Sequence, residues 1–120
     1  MARRTGSGIH LTVRDLDRAV SFYRRVFGIV ELFRRPHKVV LRTRGAGDTM
    51  TLESDAAGVD RAGTSGGIDH FGFRLKHPQT AREAIAEVKG AGGRLVRRGE
   101  HAPGCPLAHV ADPDGYVIEL

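Results

Sequence analysis

Residues 9–13 read IHLTV, and a related run, DHFGF, occupies residues 69–73. Both runs place a histidine, His10 or His70, at the second position. In each half the run is followed by a stretch with helical spacing and then by a segment that ends in two arginines. A duplicated unit of this kind brings its opening strands together at a pseudo-twofold axis. The repeat therefore predicts two copies of one unit and indicates a metal site, since imidazoles are common ligands of divalent metals.

The pattern after each run predicts the same order of elements: a strand, a helix and three strands. The first helix is expected to begin after the N-cap Asp15 and to end before Gly28. The second is expected to open at Pro78 and Gln79, and the chemistry of DPDG at 112–115 predicts a turn. Alternating apolar residues predict the strands. The predicted strands are 9–13, 29–34, 38–43 and 49–54 in the first half, and 69–75, 94–99, 106–111 and 116–120 in the second.

Length and linker composition predict one domain built from two modules. A chain of 120 residues suits a single domain, here residues 1–120. Module one is expected at about 8–54 and module two at about 68–120. A linker at about 55–67, rich in glycine, alanine, aspartate and serine, joins them. The element order predicts an α+β fold of two tandem βαβββ modules.

Side-chain alternation along the predicted strands separates an apolar face from a polar face. The apolar face can pack under a helix. The polar face carries the residues with the most chemistry, which are His10, Glu53, His70 and Glu119. The sheet is therefore expected to have an apolar back and a polar front on which a site is built.

The composition indicates a soluble protein of the cytoplasm, with 40% hydrophobic and 28% charged residues. No apolar run approaches the roughly 20 residues that span a bilayer, so no membrane association is expected. Cys105 is the single cysteine, which excludes an internal disulfide and fits a reducing compartment. The net charge of +5 comes from scattered arginines without a recognition motif. It therefore favours a small anionic substrate over nucleic acid.

Together these features resemble the vicinal oxygen chelate superfamily. That group includes glyoxalase I, extradiol dioxygenases, fosfomycin-modifying thiol transferases, methylmalonyl-CoA epimerase and bleomycin resistance proteins. The motifs that carry the resemblance are IHLTVRDLD at 9–17, Phe22-Tyr23, Phe27-Gly28, DHFGF at 69–73 and DPDGYVIEL at 112–120. The resemblance covers nearly the whole chain. It implies that the two βαβββ modules curl into an open, barrel-like cup that holds a divalent metal ion.

The resemblance also implies the ligands of that ion, His10, His70 and Glu119. Two imidazoles and one carboxylate form a facial triad that suits Fe or Mn, and Zn or Ni when a fourth ligand joins. The fourth ligand would come from the strand at 49–54, where Glu53 and Thr51 share one face and both remain candidates. A glyoxalase-like or epimerase-like reaction needs a carboxylate to move a carbon-bound proton, and Glu53 or Glu119 would serve.

Three further residues are candidates for substrate binding. His109, on the strand before the last, is predicted to face the cup. The extradiol dioxygenases have a tyrosine near that place that helps with acid–base chemistry, so a histidine there counts against a dioxygenase. Arg74 shares the face of His70 and could meet an anionic substrate. Thr12 shares the face of His10.

The leading hypothesis is a metal-dependent enzyme of the lyase, isomerase or dioxygenase type, whose small substrate chelates the ion through adjacent oxygens. One alternative is a metal-free protein that binds a small molecule or antibiotic, as bleomycin-resistance relatives do, although those generally lack the ligands kept here. Another is a fosfomycin-type thiol transferase, which shares the three ligands. The resemblance further implies a homodimer, with or without exchange of modules between its subunits.

Overall fold

The computed structural model, which describes residues 3–76 and 81–120, divides between Ala62 and Gly63 into two units. The division falls inside the predicted linker. Within the described residues each unit has one α-helix and one four-stranded sheet. The predicted pair of βαβββ modules is therefore confirmed, and we refer to the units as module one and module two.

Module one runs in the order strand, helix, strand, strand, strand. Its elements are β1 (Gly8–Thr12), α1 (Leu16–Phe27), β2 (Val30–Arg35), β3 (Lys38–Arg42) and β4 (Thr49–Glu53), followed by a 3-10 turn at Val59–Arg61. The strand order in the sheet is β1-β4-β3-β2. Strands β1 and β4 are parallel and the other neighbours are antiparallel. The first and last strands of the module therefore lie side by side.

Helix α1 begins and ends where the sequence predicts. Asp15 Oδ1 accepts a hydrogen bond of 3.0 Å from the backbone N–H of Arg18, which satisfies a donor without a helical partner. Gly28 ends the helix at a φ of 66°, a left-handed conformation that glycine adopts without strain. The helix packs on β3 and β4. Its buried residues are Leu16, Ala19, Val20, Phe22 and Tyr23. Burial of each large apolar side chain contributes about 1.5–3 kcal/mol to stability.

Module two repeats the order of module one. Its elements are β5 (Phe71–Gly72), α2 (Ala81–Gly90), β6 (Arg94–Ala102), β7 (Cys105–Ala111) and β8 (Val117–Glu119). The strand order is β5-β8-β7-β6, with β5 and β8 parallel. Helix α2 packs on β6 and β7, and its predicted opening at Pro78 and Gln79 lies outside the described residues. Neither helix of the described chain has the length and apolar character that crossing a bilayer demands.

A tight turn fixes the start of β8. Asp112 Oδ1 accepts hydrogen bonds of 2.9–3.0 Å from the backbone N–H groups of Asp114, Gly115 and Tyr116. Gly115 has a φ of 106°, a conformation that glycine adopts without strain, and the turn predicted at 112–115 is confirmed. The turn thereby sets the register in which Glu119 enters the sheet.

Strands β5 and β6 differ most in length from the prediction. Strand β5 covers Phe71–Gly72 rather than 69–75, because it lies at the sheet edge and pairs with the three-residue β8. Strand β6 extends to Ala102 rather than to 99, because its hairpin with β7 keeps pairing as far as Cys105. Both differences arise from pairing between strands, which the alternation along a single strand does not reveal.

Candidate metal centre

Module one carries a histidine–carboxylate pair where its first and last strands meet. The parallel register places His10 beside Thr51 and Thr12 beside Glu53. The Glu53 side chain reaches the imidazole, and its Oε1 lies 2.9 Å from His10 Nε2. The two side chains are 53% and 33% exposed. Both groups are therefore accessible to a ligand from solution.

Module two carries a histidine–carboxylate pair, His70 and Glu119, at the equivalent positions of its own sheet. In both modules the carboxylate pairs with the residue two places after the histidine, Gly72 with Glu119 and Thr12 with Glu53. Thr51 pairs with the histidine itself and lies two residues before the position that matches Glu119. The two registers therefore match Glu53, and not Thr51, to Glu119.

Three potential metal ligands cluster in module two. Glu119 Oε1 lies 3.5 Å from His70 Nε2 and 3.1 Å from His109 Nε2. The two imidazole rings have centroids 4.5 Å apart. One ligand atom from each of the three residues lies within 4.8 Å of the others. The cluster thus combines two partly exposed groups, His70 and Glu119, with the buried His109.

The far nitrogen of each imidazole in this cluster has its own partner. His70 Nδ1 lies 2.6 Å from Asp69 Oδ2, and this hydrogen bond holds the pKa of the Asp69 carboxyl below its ordinary value. His109 Nδ1 accepts a hydrogen bond of 2.9 Å from Arg97 Nε. A carboxylate behind an imidazole orients the ring and leaves the other nitrogen free to bind a metal. His70 has this arrangement.

The donor atoms fit a divalent metal ion. Ligand atoms bound at about 2.0–2.1 Å in tetrahedral or octahedral geometry lie about 3–3.5 Å from one another. The separations between Nε2 and Oε1 are 2.9 Å for His10 and Glu53, and 3.5 Å for His70 and Glu119. Imidazole and carboxylate are also the ligands that Zn, Mn, Fe and Ni take in proteins. Each module therefore supplies two donors of suitable type and spacing.

The structure places the predicted site residues in different surroundings. His10 contacts Glu53 within module one, and His70 contacts Glu119 within module two. The convergence of these two pairs on a single ion stays a prediction.

The three candidates for substrate binding also lie in different surroundings. Thr12 is half-buried at the end of β1, and Arg74 is exposed after β5. His109 is buried in β7, with 4% of its side chain exposed. The roles predicted for these residues stay predictions.

Two residues that contact the histidines of module two, Asp69 and Arg97, are not among the site residues predicted from the sequence. Asp69 directly precedes His70, so its position next to a proposed ligand was an available signal. Arg97 reaches His109 across the β6–β7 hairpin, whose register shifts between Leu95 and Arg97. Because of that irregularity, the contact cannot be predicted from the alternation along either strand alone.

A family model and several known proteins match most of the chain. The model of the Glyoxalase/Bleomycin resistance protein/Dioxygenase superfamily matches residues 7–120. A probable lactoylglutathione lyase from Vibrio parahaemolyticus is 31% identical, over 92% of this chain and 84% of the lyase. A lactoylglutathione lyase from Arabidopsis thaliana is 31% identical over 93% of this chain, and a catechol-2,3-dioxygenase from Bacillus subtilis is 30% identical over 92%. The chain spans 42% and 38% of the lengths of these last two proteins.

Solved structures share the fold along nearly the whole chain. A glyoxalase-related enzyme from Fulvimarina pelagi superposes with a TM-score of 0.75 at 23% identity, covering 94% of this chain and 84% of that one. A mutant of the fosfomycin resistance protein FosX from Listeria monocytogenes was solved with Mn(II) and a dihydroxypropylphosphonic acid. It superposes with a TM-score of 0.77 at 16% identity, covering 100% of this chain and 89% of that one. At these identities the likeness establishes the fold.

Proposed function

Because the chain belongs to the Glyoxalase/Bleomycin resistance protein/Dioxygenase superfamily, we propose that it is a metal-dependent enzyme whose small substrate chelates the ion through adjacent oxygens. The observation that carries this proposal is the matched register of the two modules, which gives each one an imidazole and a carboxylate at equivalent places. Partly exposed contacts between polar side chains contribute little to stability. Their presence in both modules is therefore better explained by a ligand than by folding.

Four side chains are proposed to hold one divalent ion, namely His10, Glu53, His70 and Glu119. The carboxylate of Asp69 orients the imidazole of His70 from behind. When bound, the ion would supply Lewis acidity, which is worth several kcal/mol where negative charge develops in a transition state. Fe, Mn, Zn and Ni all suit this set of nitrogen and oxygen donors.

Glu53 is the proposed catalytic residue. Its carboxylate is 33% exposed and contacts His10, whereas the carboxylate of Glu119 also contacts the buried His109. Glu53 is therefore the carboxylate with more freedom to turn toward a substrate. In the proposed reaction Glu53 takes a proton from a substrate carbon and returns it to the neighbouring carbon, which restores the carboxylate.

A lyase or isomerase reaction is favoured over a dioxygenase reaction. The Vibrio lyase is matched along 84% of its length and the Bacillus dioxygenase along 38%. At the position where the resemblance places a dioxygenase tyrosine, His109 is buried and hydrogen-bonded through both ring nitrogens. It therefore has no nitrogen to offer a catechol. The net charge of +5 and the exposed Arg74 favour an anionic substrate.

We further propose that the protein is a cytoplasmic homodimer. Strand β2 lies at the edge of its sheet and exposes Leu32 (43%) and Phe33 (49%). Apolar side chains on a sheet edge favour contact with another chain. A single cysteine fits the reducing cytoplasm. Sedimentation at micromolar concentration should give the mass of a dimer, and the mass of one chain would contradict the proposal.

The decisive test combines metal content with turnover. Protein purified without chelators is analysed for metal, reconstituted with Mn, Fe, Zn or Ni, and assayed on the methylglyoxal–glutathione hemithioacetal, on catechol and on fosfomycin with a thiol. We expect bound metal and turnover of the hemithioacetal, both lost in His10→Ala and both kept in the matched control His37→Ala, which removes an exposed imidazole. Wild-type protein that binds no divalent ion would contradict the proposal. Turnover of catechol or fosfomycin alone would overturn the assignment as a lyase or isomerase.

A further inference from the structure

The two imidazoles of module two lie close together but carry opposite partners on their far nitrogens. His70 Nδ1 faces the carboxylate of Asp69, and His109 Nδ1 faces Nε of Arg97. A carboxylate accepts hydrogen bonds, whereas the Nε of a guanidinium can only donate. The two rings therefore cannot carry their protons on the same nitrogen.

These partners fix the tautomer of each ring. His70 donates from Nδ1 to Asp69, so its Nε2 keeps a bare lone pair that points toward Glu119. His109 accepts at Nδ1 from Arg97, so a neutral ring carries its hydrogen on Nε2 and donates it to Glu119 Oε1 at 3.1 Å. A nitrogen that carries a hydrogen has no lone pair for a metal.

We propose that Arg97 locks His109 in the Nε2–H tautomer, which makes His109 a positioning residue for Glu119 and bars it from the metal. The proposal rests on the proposed function only in taking Glu119 as a ligand. Of the three groups within 4.8 Å of one another in module two, two are then ligands, His70 and Glu119. His109 acts on the ion through the carboxylate that it holds.

The backbone supports this arrangement. Arg97 pairs with His109 in the β6–β7 ladder, and His109 pairs with Glu119 in the β7–β8 ladder. The three residues therefore stand in register across three strands. The buried position of His109, with 4% of its side chain exposed, limits competition from water for both hydrogen bonds.

Module one lacks this relay at the matching positions. Its ladders pair Arg35 with Lys38 and Lys38 with Glu53. An ammonium group has no acceptor, so Lys38 cannot accept from an arginine and pass a hydrogen bond to the carboxylate. The relay therefore distinguishes Glu119 from Glu53, which is consistent with a held ligand in module two and a freer carboxylate in module one.

Long-range ¹H–¹⁵N correlation spectra of the metal-free protein at neutral pH read the tautomers directly. We expect His109 to show a protonated Nε2 and His70 to show a protonated Nδ1. In Arg97→Met, which keeps the stem but removes the donor, His109 should lose its single tautomer. A protonated Nδ1 on His109 in the wild-type protein, or a spectrum unchanged by Arg97→Met, would overturn the proposal.

Metal affinity provides a second readout that separates positioning from ligation. A glutamine amide can accept from Arg97 and donate to Glu119, whereas a leucine can do neither. We expect zinc affinity to fall about 10–100-fold in His109→Leu, the range for outer partners of a metal ligand, and to be largely restored in His109→Gln. Equal losses in both variants would show that His109 is itself a ligand.

The two proposals fail in different experiments. If His70→Ala bound zinc as tightly as the wild-type protein, the proposed metal function would fail. The tautomer of His109, measured without metal, would still show whether Arg97 and His109 form the relay.

Discussion

The register of β1 and β4 predicts that Glu53, and not Thr51, contributes to metal binding. Both Glu53 and Thr51 are half-buried and lie on the same face of β4. The backbone partner of His10 is Thr51, yet the carboxylate of Glu53 is the group that lies 2.9 Å from the imidazole. We therefore expect Glu53→Gln to weaken metal binding and the matched variant Thr51→Val to leave it nearly unchanged.

The expected magnitude follows from the number of donors. A four-ligand zinc site has an apparent binding free energy of about 10–16 kcal/mol, so equal shares give about 2.5–4 kcal/mol per ligand. Since 1.4 kcal/mol is tenfold, Glu53→Gln should lower zinc affinity by about 10²–10³-fold. Thr51→Val keeps the shape of the side chain and should change binding by about 0.5 kcal/mol or less, as substitutions away from a site usually do.

Competition titration against a chromophoric chelator measures both affinities, with circular dichroism to confirm that each variant is folded. The glutamine preserves the size of the side chain and can still hydrogen-bond His10. A lost affinity would therefore report the missing ligand and not a disrupted strand. If Thr51→Val loses as much affinity as Glu53→Gln, or if Glu53→Gln binds zinc like the wild-type protein, then Glu53 is not the ligand supplied by β4.

Three further outcomes test other parts of the structure. Asp69→Ala removes the acceptor behind His70. Because the Asp69 side chain is 83% exposed, we expect metal affinity to fall by about tenfold, the lower end of the range for residues that hydrogen-bond a metal ligand. An unchanged chelator titration would contradict this. Phe22→Ala empties a fully buried site and should lower the free energy of unfolding by about 3–5 kcal/mol in a urea titration, whereas a loss below about 1 kcal/mol would show that the ring is not part of the core. The hydrogen bond from Arg34 lowers the pKa of Glu31 below 4.5, so the stability that this pair contributes is present above the unfolded pKa and is lost as the pH falls through the lower folded pKa. We therefore expect the stability of Glu31→Gln to depend less on pH below pH 4.5 than that of the wild-type protein. Coincident acid-unfolding curves for the two proteins would argue against the Glu31–Arg34 pair.

Local signals in the sequence were sufficient for the order of elements. Asp15 and Gly28 delimit α1 because capping and left-handed backbone are properties of single residues. Alternation along a strand placed His10 opposite the buried Leu11 for the same local reason. Gly115 with its positive φ is a third example. Features decided within about one turn or one strand were therefore predictable.

Features that depend on pairing between strands were not predictable in this way. The choice between Thr51 and Glu53 needs the registers of both parallel pairs, because a shift of two residues keeps the face of the strand and exchanges these two side chains. The contact of Arg97 with His109 needs the register of an irregular hairpin. The short β5 needs the length of its partner strand. In each case the deciding contact joins residues that are distant in sequence.

Electron spin-echo spectroscopy of the Mn(II)-loaded protein can show whether the imidazoles of His10 and His70 bind the same ion. The modulation from nitrogen nuclei counts the imidazoles on the metal. We expect two coordinated imidazoles in the wild-type protein and one in either His10→Ala or His70→Ala. A single imidazole in the wild-type protein, or a count that His10→Ala leaves unchanged, would show that the two residues do not share an ion.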